Sequence, residues 1–330
     1  QEVNTYNSSC AFPCTINFSM NFPASIDDFP APSELKNPLQ LAIGVFDGVH
    51  LGHKAVIEPS VISARRCHGV SGVLTFDPHP SHLLRPKDPT PLIMPIDAKT
   101  AILHSIGVDC VIRKHFDNSF SSITAEKFLV TLKKRLPSLV SIYVGENFRF
   151  GLNREGDVAT LIKSGLDLNL GVFSAKRIKH QGEPISSTRI RKKLEEGEIA
   201  KANDLLGYNY KMRSQVVDGA KLGRQIGFPT LNLPWMPECR PRYGVYFVRF
   251  GKTGTTDRHA AIANYGVRPT VSAIAEAPIL EIHALHSTTL VGGDIVDVEW
   301  LHFIRPERKF DGIEELKAQI TKDCASARKM

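Results

Sequence analysis

A chain of 330 residues is long enough for two domains, each burying its own core. The apolar fraction of 42% and charged fraction of 23% are those of an ordinary globular protein, and no run reaches the roughly 18 apolar residues that a membrane span needs. The formal charge of +7 is spread over both halves, with 24 basic against 21 acidic residues up to Gly207 and 17 against 13 beyond. That suits steering of anionic nucleotides and not a nucleic-acid-binding stripe, so neither a membrane nor a nucleic acid is expected as partner.

Residues 1–19 are polar, aromatic and cysteine-bearing without periodicity, and read as an extension ahead of a natural start at Met20. No Lys or Arg occurs among the first 35 residues, so the basic region of a secretory signal is missing. The cysteines at 10, 14, 67, 110, 239 and 324 are scattered, and only Cys10 and Cys14 are close. Such spacing supports neither a zinc site nor a disulfide framework; it suits a reducing, cytoplasmic setting.

A short apolar strand at 41–43 leads into Gly44-Val45-Phe46-Asp47-Gly48-Val49-His50-Leu51-Gly52-His53, and a helix is expected from Lys54 onward. Two histidines three apart at a strand-to-helix junction, beside unpaired helix amides, form a phosphate site. A glycine-rich turn with surface histidines is the plainer reading; the length of the string argues against it. Strands at 73–76, 110–112 and 142–144 follow, with a helix at 125–135 carrying Phe128, Leu129 and Leu132 at helical spacing. Alternating strands and helices imply a parallel sheet with ligands outside the carboxyl ends of its strands. The segments 44–53, 77–80 and 145–151 should therefore converge. In the last of these, Asn147, Phe148 and Phe150 offer an amide and stacking rings, although phenylalanines beside a strand are commonly core.

Ser187, Thr188 and Arg191 stand at the start of a helix expected over 189–196, a second anion site or simply a cap with a surface arginine. Lys133, Lys134 and Arg135 read as a solvated helix face. A further helix should run to Leu206 and stop at Gly207, placing a domain boundary at 207–208. Beyond it, short runs at 212–217, 245–250, 260–263 and 295–303 are separated by Gly, Pro and Asp, the texture of a small antiparallel barrel. An amphipathic helix at 310–320 closes the chain. The stretch 219–232 holds Gly219, Gly223 and Gly227 but lacks the ending of a P-loop. Thr230 and Asn232 would point the same way on an extended segment, two neutral oxygens for a magnesium–nucleotide complex, unless the stretch is only a hairpin connection. Glu281, among Ile279, Leu280 and Ile282, is a base with a raised pKa or an outward-facing strand residue; His283 shares its face.

Taken in order, the segments 44–53, 75–80, 145–151, 185–191, 223–232, 244–246, 264–270, 281–283 and 304–323 resemble the prokaryotic bifunctional riboflavin kinase/FAD synthetase family. The resemblance implies an α/β fold with an N-terminal Rossmann-like HxGH nucleotidyltransferase domain (20–207) and a C-terminal antiparallel β-barrel with a terminal helix (208–330). It implies that the first domain transfers AMP from ATP onto FMN, giving FAD and pyrophosphate. There His50 and His53, with Gly44, Phe46, Asp47, Gly48, Ser187, Thr188 and Arg191, would bind ATP, and Asn147 and Phe150 would meet the flavin. The barrel would phosphorylate riboflavin with ATP, using Glu281 as base, Thr230 and Asn232 for Mg2+, and Gly223 and Gly227 for ATP. Three departures fall in the barrel: Leu231 replaces the usual Ala, Ser214 a Gly, and Thr289-Leu290-Val291-Gly292 an Asp-Leu-Tyr-Gly motif. They keep open an alternative, an FAD synthetase whose barrel binds flavin without turning it over. A flavin-binding regulator and a nucleic-acid-binding protein are the readings of other classes; intact phosphate clamps and a dispersed charge weigh against them.

Overall fold

The computed structural model describes residues 25–30, 35–219, 222–267 and 278–330. The N-terminal part is a six-stranded, all-parallel sheet in the order β1-β4-β3-β2-β5-β6. The strands are β1 (Ser25–Asp27), β2 (Leu39–Ile43), β3 (Val70–Phe76), β4 (Cys110–Lys114), β5 (Leu139–Gly145) and β6 (Gly171–Ala175). Its helices are α1 (Leu51–Arg66), α2 (Pro80–Leu84), α3 (Ile96–Ser105), α4 (Asn118–Ser121), α5 (Ala125–Arg135) and α6 (Val158–Asp167). Every residue of β2 is buried, because alternate side chains serve opposite faces of a sheet covered on both sides. Leu41 and Ile43 pack with Phe128, Leu129 and Leu161 of α5 and α6. Ala42 packs with Val56 and Ile57 of α1 and Leu103 of α3.

A two-stranded hairpin, β7 (Lys179–His180) and β8 (Glu183–Pro184), precedes α7 (Ser187–Glu195) and α8 (Ile199–Leu206). Gly207 ends α8 in the left-handed conformation at φ 72°. The C-terminal part is a six-stranded antiparallel sheet in the order β10-β13-β12-β11-β14-β9. Its strands are β9 (Tyr210–Gln215), β10 (Leu231–Pro234), β11 (Gly244–Lys252), β12 (His259–Gly266), β13 (Ile279–Ala284) and β14 (Ile295–Arg305), with α9 (Leu222–Gln225) before β10 and α10 (Ile313–Ala327) at the end. The first and last strands of that order meet. Val217 N donates to Asn232 O at 2.9 Å, and Ser214 Oγ to Pro234 O at 2.7 Å, closing the sheet into a barrel. Tyr210, Tyr246, Tyr265 and Trp300 fill its interior. α10 covers part of the outer face through Ile320, Cys324 and Ala327, and Arg305 holds it by donating to the buried Asp323 at 2.8 Å.

The expected architecture is present, with shifted edges. The strand expected at 212–217 is Tyr210–Gln215, because Val216 and Val217 turn away into the seam. The last helix starts at Ile313 and not 310, capped at Gly312 with Glu314 and Glu315 in its first turn. β6 and α3 were not foreseen at all. The first 24 residues, residues 220–221 and the 268–270 end of the 264–270 motif lie outside the described residues.

Candidate active site

The N-terminal sheet reverses its winding between β2 and β5, and open α/β sheets bind ligands at the carboxyl ends of strands at such a point. A cleft of about 180 Å3 lies there, lined by His50 from the turn after β2, Gly52 of α1, Asn147 and Phe148 after β5, and Arg177 after β6. His50 is the N-cap of the 16-residue α1, its Nδ1 accepting from His53 N at 3.2 Å. That bond leaves the ring proton on Nε2. The two imidazoles stack with centroids 3.5 Å apart, and Phe46 meets His53 edge-on. Burial pushes His50 down to about 4 and His53 well below its ordinary value. Both rings are therefore neutral near pH 7, donors of a polar N–H and not of charge.

The turn that presents them is held from beneath. Gly48 takes a left-handed φ of 82°, and a Cβ there would lie 2.9 Å from Ile93 Cδ1. Asp47 accepts from Ile93 N at 3.0 Å and pairs with Arg191 at 2.8 Å, while Ser187 Oγ donates to Asp47 O at 2.8 Å. Burial raises Asp47 to about 6 against the pull of the Arg191 guanidinium. Lys99 of α3, buried under the turn, donates to Val45 O at 3.0 Å and Thr75 Oγ1 at 3.1 Å, and burial lowers it to about 8. His79, at the end of β3, caps α2 and bonds Ser81 Oγ at 2.8 Å.

Most of the N-terminal residues singled out in the sequence thus meet around one turn, with three differences of placement. Phe46 and Asp47, expected to bind ATP, are 4% exposed and face inward, supporting His53 and Arg191. Phe150, expected against the flavin, is in the core on Phe128 at 4.8 Å, and Phe148 lines the cleft in its place. The cap of α7 is Ser186, which leaves Ser187 and Thr188 in the first turn. Asn147 does line the cleft; with its amide oxygen turned inward it accepts from Arg177 Nε and Nη2. Lys99 was missed, since one lysine in an otherwise unremarkable helix carries no signal of burial.

A second cleft, of about 260 Å3, opens at the barrel seam. Thr230, Asn232, Arg224 and the Leu290–Gly292 stretch line it. Asn232 is 6% exposed and packs so closely on Gly219 that a Cβ there would lie 2.2 Å from its Nδ2. Register places Asn232 of β10, Glu281 of β13 and Asn264 of β12 opposite one another in one row. These three polar residues share a face turned away from the interior, which Leu280 and Ile282 fill. His283, two residues on, donates from Nδ1 to Pro229 O at 2.9 Å and meets Phe228 edge-on, anchoring the stretch before Thr230. Gly223 and Gly227 shape that stretch from outside the cleft, Phe228 N donating to Gly223 O. Leu231 pairs with Ile282; partly buried, it packs against the barrel core and also lines the cleft between Thr230 and Asn232. Ser214 supplies the seam bond to Pro234 O, a contact a glycine could not make.

The family model described as FAD synthetase matches residues 33–189, and that described as riboflavin kinase matches residues 206–330. The bifunctional riboflavin kinase/FMN adenylyltransferase of Escherichia coli (strain K12) is 35% identical over 288 residues, 87% of this chain and 91% of that protein. The protein of the same name from Bacillus subtilis (strain 168) is 35% identical over 286 residues, covering 86% and 89%. A crystal structure of a protein named macrolide-efflux protein, from Streptococcus pneumoniae, superimposes with a TM-score of 0.83 at 27% identity, covering 93% of this chain and all of that one. Among the described residues no helix is long and apolar enough to cross a membrane. Two matched family models in tandem, and relatives alike over almost their whole length, show that the chain belongs to the bifunctional riboflavin kinase/FMN adenylyltransferase family.

Proposed function

We propose that the chain makes FAD from riboflavin in two steps: residues 208–330 phosphorylate riboflavin with ATP to FMN, and residues 20–207 transfer AMP from a second ATP to FMN, releasing pyrophosphate. The observation that carries this is the pairing of a neutral, capped His50–His53 turn at a switch point with a separate row of Asn232, Glu281 and Asn264 on a barrel.

The two sites differ as their nucleophiles differ. The FMN phosphate, with a second pKa of about 6, is already ionised and needs alignment with the α-phosphorus, not a base. His50 Nε2, His53, the Ser187 and Thr188 hydroxyls, the first turn of α7 and Arg191 surround the place where charge develops on the phosphates. Phe148 offers its ring to the isoalloxazine. The ribityl hydroxyl of riboflavin does carry a proton, and Glu281 takes it as the oxygen attacks the γ-phosphorus. Thr230 and Asn232 would hold Mg2+ through neutral oxygens, a fit for an ion whose charge is met by nucleotide phosphates; it would neutralise the phosphates. A cytoplasmic place for these reactions follows the scattered thiols, of which the described Cys67, Cys239 and Cys324 are free.

The test is a time course with riboflavin, ATP and magnesium, products separated by chromatography. FMN should rise first and FAD follow. Conversion of FMN to FAD with no use of riboflavin would leave only the synthetase, and formation of neither product would overturn the reading.

A further inference from the structure

The turn that carries His50 is held in part by residues of the other module. Tyr208 OH donates to Gly48 O, inside the turn itself. Tyr210 OH donates to Ile93 O at 3.2 Å, and Ile93 N is the donor that fixes Asp47 against Arg191. One residue earlier, Leu92 N donates to Glu238 Oε2 at 2.9 Å, and Cys239 N donates to Leu92 O at 3.1 Å. The segment supporting the phosphate turn is thus clasped on both its amide and carbonyl sides by the stretch after β10. Tyr208 and Tyr210 are buried or nearly so, and their hydroxyls find these carbonyls as their partners, so the contacts fix geometry and do not merely fill space.

We infer that Tyr208 and Glu238, both outside the nucleotidyltransferase sheet, are positioning residues for adenylyl transfer, setting the turn that places His50 and His53 through Gly48 and through Leu92–Ile93. The inference rests on the adenylyltransferase reading above. Transition-state alignment is sensitive to ångström displacements, so loosening the turn lowers turnover more than substrate affinity. The hydrogen bonds of both residues go to Gly48 and Leu92 of the N-terminal module, so riboflavin phosphorylation should not follow.

The experiment measures both half-reactions in the full chain, at a temperature well below its melting midpoint, for Tyr208→Phe, Glu238→Ala and Glu238→Gln. Tyr208→Phe and Glu238→Ala should each lower kcat for FMN adenylylation about 10-fold with KM for FMN within twofold, while kcat for riboflavin phosphorylation stays within twofold. Glu238→Gln keeps an oxygen acceptor for Leu92 N and should restore most of the loss. Wild-type adenylylation rates in both Tyr208→Phe and Glu238→Ala would overturn the inference, as would a parallel fall of both half-reactions, which marks general destabilisation. A wild-type chain that adenylylates nothing would instead defeat the functional reading itself.

Discussion

Glu281, on β13 of the barrel, and His53, in the first turn of α1, are proposed to serve different nucleophiles, so their losses should separate the two reactions. Glu281→Gln keeps the size and a hydrogen-bonding oxygen but removes the proton acceptor; FMN formation should fall at least 100-fold while FMN-to-FAD conversion stays within a few-fold. His53→Ala should do the reverse, leaving riboflavin phosphorylation intact. Separate assays started from riboflavin and from FMN check both, and loss of both steps in either folded variant would break the two-site assignment. His50 carries a pH signature as well. An imidazole held near 4 in the fold and titrating near 6.5 unfolded takes its proton first in the unfolded chain. Its contribution is whole above pH 6.5 and is lost as pH falls toward 4. Asp47, raised to about 6, works in the opposite sense over the same range, so the effect is read as a difference. Relative to His50→Asn, which keeps a capping side chain, wild type should lose about 3 kcal/mol of unfolding free energy between neutral and acid pH in urea titrations. These roles were partly legible: a Gly-rich string with His50 and His53 states its chemistry locally. Phe150 and Phe148 could not be told apart, because which ring is core depends on α5 packing from elsewhere in the chain.

At the scale of elements, the periodic signals carried the fold and the connections did not. β2, β3, β4 and β5 announce themselves as apolar β-branched runs, since strands covered on both faces need no alternation. β6 escaped because it is an edge strand, with Phe173 and Ser174 exposed. The barrel strands were visible as texture, but their pairing order was not, and it is pairing that sets Glu281 beside Asn232 and Asn264. Leu231 shows the same limit. As a sequence departure it stands between Thr230 and Asn232; in the fold its partly buried side chain packs on the barrel core beside Ile282 and still borders their cleft. Leu231→Ala should therefore lower the melting temperature, by removing partly buried methyl groups at a cost of about 1 kcal/mol, and shift KM for ATP in the kinase reaction more than twofold, read from thermal melts and initial rates.

For the whole molecule, the change from α/β to barrel between α8 and β9 is one of chain and not of packing. One apolar cluster runs from Ile57, Ile93 and Leu103 through Leu194 and Leu206 to Tyr210, Tyr246 and Trp300. Two modules that share a core cannot lose it separately. Calorimetry should show a single unfolding transition, and two well-resolved transitions would contradict the shared cluster. No sequence pattern foretold this, because each half has enough apolar residues to read as self-sufficient.

Among the described residues, the barrel is a rolled sheet whose first and last strands are fastened at one place. Between β9 and β10 the fastening is Val217 N to Asn232 O, with the Ser214 hydroxyl on Pro234 O, where proline offers no amide in return. Two such bonds are worth about 1–3 kcal/mol net, far less than the continuous ladders of β11 with β12 and β14. Local opening of the barrel therefore begins at this fastening. The fastening is also the rim of the cleft that holds Thr230 and Asn232, so the least costly motion of the barrel is one that widens the entrance to its own site.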